Sequence, residues 1–180
     1  MLDEILAKIQ RKSQISRLKK HPHVSFKGIK LGISDHFILH ENLKKVTIGS
    51  SVSFRNYIHI LVEKNATLEI GNNFFMNNFC SINCLDSISI GDNTLFGENV
   101  KLYDHNHAYQ SHPEFKLFHS EFKTAPIRIG NNCWLGSNVT VLKGVTIGDN
   151  CIIGAGCTIH KDIPANTTVI NRQDLIFKEH

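Results

Sequence analysis

From residue 127 the chain reads IRIGNNCWLGSNVTVLKGVTIGDNCIIGAGCTIHKDI, and a large aliphatic residue returns at every sixth position: Ile129, Leu135, Val141, Ile147, Ile153 and Ile159. A second column lies four residues after each, at Cys133, Val139, Val145, Cys151, Cys157 and Ile163. A period of six with two inward positions matches neither the 3.6 of an α-helix nor the 2 of a simple strand. It predicts a short flat strand, a tight corner and another short strand. Three such hexads close a triangular coil of about eighteen residues, and coils stack at a strand spacing of about 4.8 Å. Gly130, Gly136, Gly148 and Gly154 follow first-column residues, where a Cβ would hinder the corner.

The same period runs upstream with less regularity. Ile90, Phe96 and Leu102 are joined by Thr94 and Val100; Ile70, Met76 and Ile82 by Phe74 and Cys80; Ile48, Phe54 and Ile60 by Val52 and Ile58. Breaks near residues 63–67 and 85–87 predict short outward insertions, and the long break between Leu102 and Ile129 predicts a loop over residues 103–126 that leaves and rejoins the stack. Residues 24–41 form a poorly matched first coil. The β-helix is therefore expected over residues 21–164, followed by a tail over 165–180. Residues 1–20 carry Leu2, Ile5, Leu6, Ile9, Ile15 and Leu18 at helical spacing, which predicts a short amphipathic helix docked as a cap on one end. An uncapped stack would present an open sheet edge.

Composition narrows the function classes. A length of 180 residues suits one domain. No apolar run approaches the roughly 18 residues of a membrane span, and the first twenty residues lack a secretory apolar region, so a cytoplasmic protein without membrane insertion is expected. The net charge of +4 is mild and dispersed, which argues against a nucleic-acid partner. Five cysteines, an odd number without a CxxC motif, argue against a disulfide framework. Cys133, Cys151 and Cys157 fall in the inward columns and read as small buried hydrophobes.

The segment WLGSNVTVLKGVTIGDNCIIGAGCTIHKDIP resembles the C-terminal coils of the hexapeptide-repeat acyltransferases, in particular the galactoside, maltose and nodulation-type sugar O-acetyltransferases. The resemblance is good over residues 70–102 and weak before Val46. It implies an all-β, left-handed parallel β-helix, a handedness that the spacing does not supply. It also implies a homotrimer with acetyl-CoA, as co-substrate, in the clefts between neighbouring prisms, and no metal.

Candidate chemistry follows from the same resemblance. His107 lies sixteen residues after Gly91, the spacing of the family's catalytic histidine, and an imidazole is suited to take a proton from an alcohol near neutral pH. His105 is its rival and otherwise a loop-orienting or substrate-contacting residue, and Asp104 could hold a histidine ring. Asn77 matches an asparagine that binds the acceptor hydroxyl, with Asn78 one residue away; Asp86 is the nearby carboxylate. Trp134 is expected to wall the site or to fill a corner or interface. Ser137 matches a residue whose backbone N–H faces the thioester oxygen, a donor of the oxyanion-hole kind. Ala155 matches a backbone contact to the pantetheine arm, and Lys161 a position near the CoA phosphates. The chain departs from the family after Asn166, where Arg172 remains a candidate phosphate contact.

The resulting expectation is an O-acetyltransferase acting on a sugar or polysaccharide-precursor hydroxyl by direct transfer in a ternary complex. The alternatives are an N-acetyltransferase acting on an amino sugar, serine or an antibiotic, and a non-catalytic β-helix scaffold. A γ-type carbonic anhydrase with zinc on histidines from His105, His107, His112 and His119 is the remaining enzymatic reading.

Overall fold

The structure, a computed structural model, describes residues 2–173 and 176–178, with the side chains of residues 2 and 3 outside that description. Helix α1 (Leu2–Lys20) is followed by strands that recur in threes. The first coil holds β1 (Val24–Phe26), β2 (Ile29–Lys30) and β3 (His36–Leu39), and the second β4 (Lys45–Ile48), β5 (Val52–Phe54) and β6 (His59–Val62). The third holds β7 (Thr67–Ile70), β8 (Phe75–Met76) and β9 (Ser81–Cys84), and the fourth β10 (Ser87–Ile90), β11 (Leu95–Phe96) and β12 (Lys101–Tyr103). After a hairpin of β13 (His105–Gln110) and β14 (Lys116–Thr124), the fifth coil holds β15 (Ile127–Ile129), β16 (Trp134–Leu135) and β17 (Thr140–Leu142). The sixth holds β18 (Thr146–Ile147), β19 (Ile152–Ile153) and β20 (Thr158–Ile159), and β21 (Thr168–Val169) begins a further turn.

Every third strand pairs in parallel with its equivalent in the next coil, so the described chain forms three flat faces. Face one is β1-β4-β7-β10-β15-β18, face two is β2-β5-β8-β11-β16-β19-β21, and face three is β3-β6-β9-β12-β17-β20. This three-sided β-solenoid is consistent with the left-handed β-helix that the resemblance implied. Both expected columns point inward: Ile129, Leu135, Val141, Ile147, Ile153 and Ile159, with their partners Cys133, Val139, Val145, Cys151 and Cys157, are all buried. Thr94 keeps its place in the second column by donating from its hydroxyl to Gly130 O at 3.1 Å and accepting from Cys133 N at 3.2 Å. All five cysteines are free and buried, and Cys133 and Cys151 each donate to a carbonyl of the next coil at 3.2 Å.

Corners are held by residues with positive φ and by side-chain ladders along the axis. Between faces one and two, Asn73, Asn93, Asn132, Asn150 and Asn166 adopt left-handed backbone and their amides bond in series. Asparagine tolerates that conformation better than most residues with a Cβ.

Two expectations need revision. The expected loop over residues 103–126 contains a paired antiparallel hairpin, β13 with β14, and Tyr103 still belongs to face three. The helix docks mainly through its C-terminal half: Leu18 is buried and Ile15 packs on the core, while in the N-terminal half Ala7 is buried but Ile5, Leu6 and Ile9 are exposed. Arg11 and Gln14 donate from their side chains to Gly32 O and Asp35 O, which fixes that half against the first coil. In the tail, β21 adds to face two beyond residue 164, and residues 174, 175, 179 and 180 lie outside the described residues.

Candidate active site

The edge between faces two and three carries the first group of candidates. Register along face two aligns Met76, Phe96, Leu135 and Ile153, so two residues further on Asn78, Glu98, Ser137 and Ala155 form one column. In three coils the backbone N–H in this column is capped by a side-chain oxygen from the next coil. Ile33 N donates to Asn56 Oδ1 at 2.8 Å, Asn56 N to Asn78 Oδ1 at 3.1 Å, and Glu98 N to Ser137 Oγ at 3.3 Å. Asn78 N is capped within its own coil, by Asn77 Oδ1 at 2.9 Å. The series stops at Ser137, because the next residue in the column is Ala155, which has no side-chain acceptor. Among the described residues no group accepts from Ser137 N–H, although Ser137 O accepts from Gly156 N at 2.9 Å. The corner ahead of it is bare: a Cβ on Gly97 would come within 2.7 Å of Ser137 N, and one on Gly136 within 2.8 Å of Ala155 N. Asn77 lies two coils below on the same edge, half-buried, its oxygen engaged and its two N–H donors without a partner among the described residues.

The edge between faces three and one carries the second group. Asp104, where the chain leaves β12 for the hairpin, is fully buried. Its carboxylate accepts from Leu85 N at 2.9 Å and Asp86 N at 2.8 Å, and faces His105 Nδ1 at 3.2 Å. Asp104 thus grips the turn of the neighbouring coil and orients His105, not His107. His107 is exposed on β13, opposite Phe122 of β14. Phe122 is a contact that sequence reasoning did not identify: its ring lies 4.7 Å from that of His107 and 5.3 Å from that of His105. Nothing in the local pattern points to it, since the pair forms only when the hairpin closes. The hairpin register shifts between His107 and Tyr109, and irregularities of this kind re-aim side chains. His105, Phe122 and Thr124 line a cavity of about 390 Å³ with Leu61, Glu63 and Leu85. Asp86 touches this cluster through its backbone.

The remaining candidates lie apart from these. Trp134 stands on the flat of face two, not at a corner, and is 52% exposed between the register neighbours Leu95 and Ile152, themselves 41% and 42% exposed. Lys161 is exposed and follows β20 at the edge from which the hairpin leaves, two coils further along. Arg172 is exposed beyond β21. Among the described residues, no three histidine, cysteine or acidic side chains converge as metal ligands.

Residues 126–161 match the family described as bacterial transferase hexapeptide (six repeats). The chain is 36% identical over 135 residues to nodulation protein L of Rhizobium meliloti strain 1021, covering 75% of this chain and 70% of that one. The chain belongs to the hexapeptide-repeat acetyltransferase family. Within it, the chain is also similar to galactoside O-acetyltransferase of Escherichia coli K12, at 44% identity over 101 residues, or 56% of this chain and 48% of that one. Among solved structures of the family, a maltose O-acetyltransferase from Clostridium difficile 630 superposes with a TM-score of 0.56 at 29% identity, covering 87% of this chain and 69% of that one. The chain spans about half the length of the curated galactoside relative.

Proposed function

We propose that the chain transfers an acetyl group from acetyl-CoA to a hydroxyl of a sugar or polysaccharide precursor. The observation that carries this reading is the uncapped Ser137 N–H. A backbone donor left free at a glycine-flanked corner, in a column whose preceding members are capped, is suited to the negative oxygen of a tetrahedral intermediate. Preorganised donors of this kind contribute about 2.7–4 kcal/mol.

His107 is the general base. It takes the hydroxyl proton as the acceptor oxygen attacks the thioester carbonyl. The carbon–oxygen bond forms, Ser137 N–H holds the oxyanion, and collapse breaks the carbon–sulfur bond. The protonated His107 then returns its proton to the departing CoA sulfur. His107 is taken over His105 on its sixteen-residue spacing from Gly91, which the family resemblance supplies; His105, whose Nδ1 faces the Asp104 carboxylate, is the rival. Asn77 orients the acceptor hydroxyl through its free N–H donors, Ala155 keeps the groove beside the pantetheine arm flat, and Lys161 and Arg172 meet the CoA phosphates.

His107 and Ser137 stand at different edges of one prism, so a site that uses both draws them from adjacent copies. A homotrimer with three equivalent clefts satisfies this requirement by closed cyclic symmetry. The apolar stripe of Leu95, Trp134 and Ile152 is the surface such a neighbour would cover.

The test is CoA release from acetyl-CoA across a panel of sugars, with wild type beside His107→Ala and His105→Ala. Loss of a positioned base lowers kcat about 10²–10⁴-fold, and His107→Ala is expected to show that loss. Wild-type turnover in that variant on an active acceptor would remove His107 from the mechanism.

A further inference from the structure

Helix α1 carries two apolar stripes rather than one. At about 100° per residue, Ala7, Arg11, Gln14 and Leu18 share one side, and these are the residues that meet the stack. Ile9 lies on the opposite side from Leu18, flanked by Ile5 and Leu6. Ile5, Leu6 and Ile9 are 49%, 49% and 58% exposed and point away from the first coil. A helix that only capped the stack would need a single stripe. The charge of the chain is concentrated in the same element, which corrects the expectation that it is dispersed. Residues 1–20 carry six basic and two acidic side chains, a balance of +4 that equals the net charge of the whole chain. Lys12, Arg17, Lys19 and Lys20 are exposed and fall on or beside the outward side. Arg11 instead turns inward to Gly32 O, and Glu4 falls on the inward half.

We infer that α1 is a docking surface for an anionic membrane. The helix lies flat among the lipid headgroups, with Ile5, Leu6 and Ile9 inserted and Lys12, Arg17, Lys19 and Lys20 beside the lipid phosphates. Interfacial helices have this make-up, aliphatic residues on one face and Lys or Arg next to them. Among the described residues no helix is long and apolar enough to cross a membrane, so the contact is with the lipid surface. A second copy of the chain fits the stripe poorly. Two such helices would bring like charges together, and three half-exposed aliphatics fall well short of the roughly 800 Å² per partner that a stable interface buries. A single-stranded nucleic acid would be met by aromatic side chains on which its bases stack, and the stripe is aliphatic. Each basic residue near an anionic surface strengthens binding about fivefold, and salt screens that attraction. The inference concerns where the protein works and does not depend on the acetyl transfer proposed above.

The test is co-flotation of the whole chain with vesicles of phosphatidylcholine, alone or mixed equally with phosphatidylglycerol. The wild type should bind the mixed vesicles at least tenfold more tightly than the neutral ones. Most of that difference should vanish as added salt shortens the Debye length from about 10 Å to about 3 Å. Ile5→Gln with Leu6→Gln and Ile9→Gln should weaken flotation at least tenfold, as should Lys12→Glu with Lys20→Glu. All five positions are exposed, so both variants should keep the wild-type Tm. Ile9→Cys supplies a single reactive thiol, because the five native cysteines are buried. A nitrobenzoxadiazole label on it should brighten and shift to the blue on mixed vesicles. Absence of wild-type binding to mixed vesicles would overturn the inference, as would binding that survives both sets of substitutions or flotation that leaves the label unmoved. A label that responds to a soluble acidic polymer and not to vesicles would overturn it in favour of an acidic macromolecule. Loss of oligomeric mass in the glutamine variant, beside a wild type that does not float, would overturn it in favour of a contact between copies.

Discussion

Replacing Ala155 by asparagine should silence the site by completing the ladder that the natural sequence leaves open. In the same column, Asn56 and Asn78 place Oδ1 at 2.8 and 3.1 Å from the backbone N–H one coil below. Ala155 is exposed, so a longer side chain meets no packed core. An asparagine there would put its oxygen on Ser137 N–H by the same geometry. One added hydrogen bond is worth about 0.5–1.5 kcal/mol, so the variant should be as stable as wild type or more so. The donor lost to the transition state costs about 2.7–4 kcal/mol, or 10²–10³ in kcat. Ala155→Leu is the control, having similar bulk and no acceptor. Both variants weaken acetyl-CoA binding if bulk narrows the groove, so kcat is compared at saturating acetyl-CoA by thiol release, with acetyl-CoA affinity measured separately by calorimetry. The asparagine variant should lose at least tenfold more kcat than the leucine variant, and the Ser137 amide proton should shift downfield in its NMR spectrum. Wild-type kcat in a variant whose amide has shifted would refute the role of this donor. Equal losses in the two variants would assign the effect to bulk.

Asp104→Ala removes a buried acceptor of two backbone N–H groups and the partner of His105. Chemical denaturation should show a loss of about 3 kcal/mol or more, with the hairpin amides exchanging faster than those of the coils. The cysteines should resist thiol reagents until the protein unfolds, because all five are buried and burial pushes up the thiols of Cys80 (to about 11), Cys84, Cys133 and Cys157; a rapidly reacting native thiol would contradict that packing. Asp92 has its carboxyl held below the ordinary 3.8 by hydrogen bonds from the Asn72 backbone and side chain. Its contribution to stability is present above that value and lost as pH falls through the lower folded one. Asp92→Asn keeps an oxygen at the corner without titrating, so the melting temperature of the variant should fall less than that of wild type between about pH 4 and pH 2.

The solenoid was legible because its core is one-dimensional. Two inward positions per hexad must be apolar, and even exceptions such as Thr94, Cys133 and Cys151 satisfy their polar atoms on carbonyls within the stack. The first coil read poorly because it is an end coil: Val24, Phe26 and Ile29 are only half-buried. The docking of α1 was only partly legible, since helical spacing marks an apolar stripe without saying how far the stack reaches along it. The site was legible as positions and not as arrangement. Resemblance pointed to Ser137 and Ala155 separately, but that one lacks the oxygen that would cap the other appears only when register stacks them. Likewise, Asp104 could be paired with a histidine on paper, yet geometry gives it His105. The Phe122 contact depends on a hairpin whose alternation of residue types is too irregular to announce a strand.

The parallel stacking of the coils has a metric consequence. Positions along an edge are separated by whole strand spacings and by nothing in between, so the distance from Asn77 to the level of Ser137 is two steps. A residue inserted within a coil disrupts the register of that coil, whereas an inserted eighteen-residue coil preserves every corner and moves the two apart by about 4.8 Å. The edge is therefore a graduated rule. Its reach can change only in whole graduations, and the size of what it measures is written in the number of coils between one corner and the next.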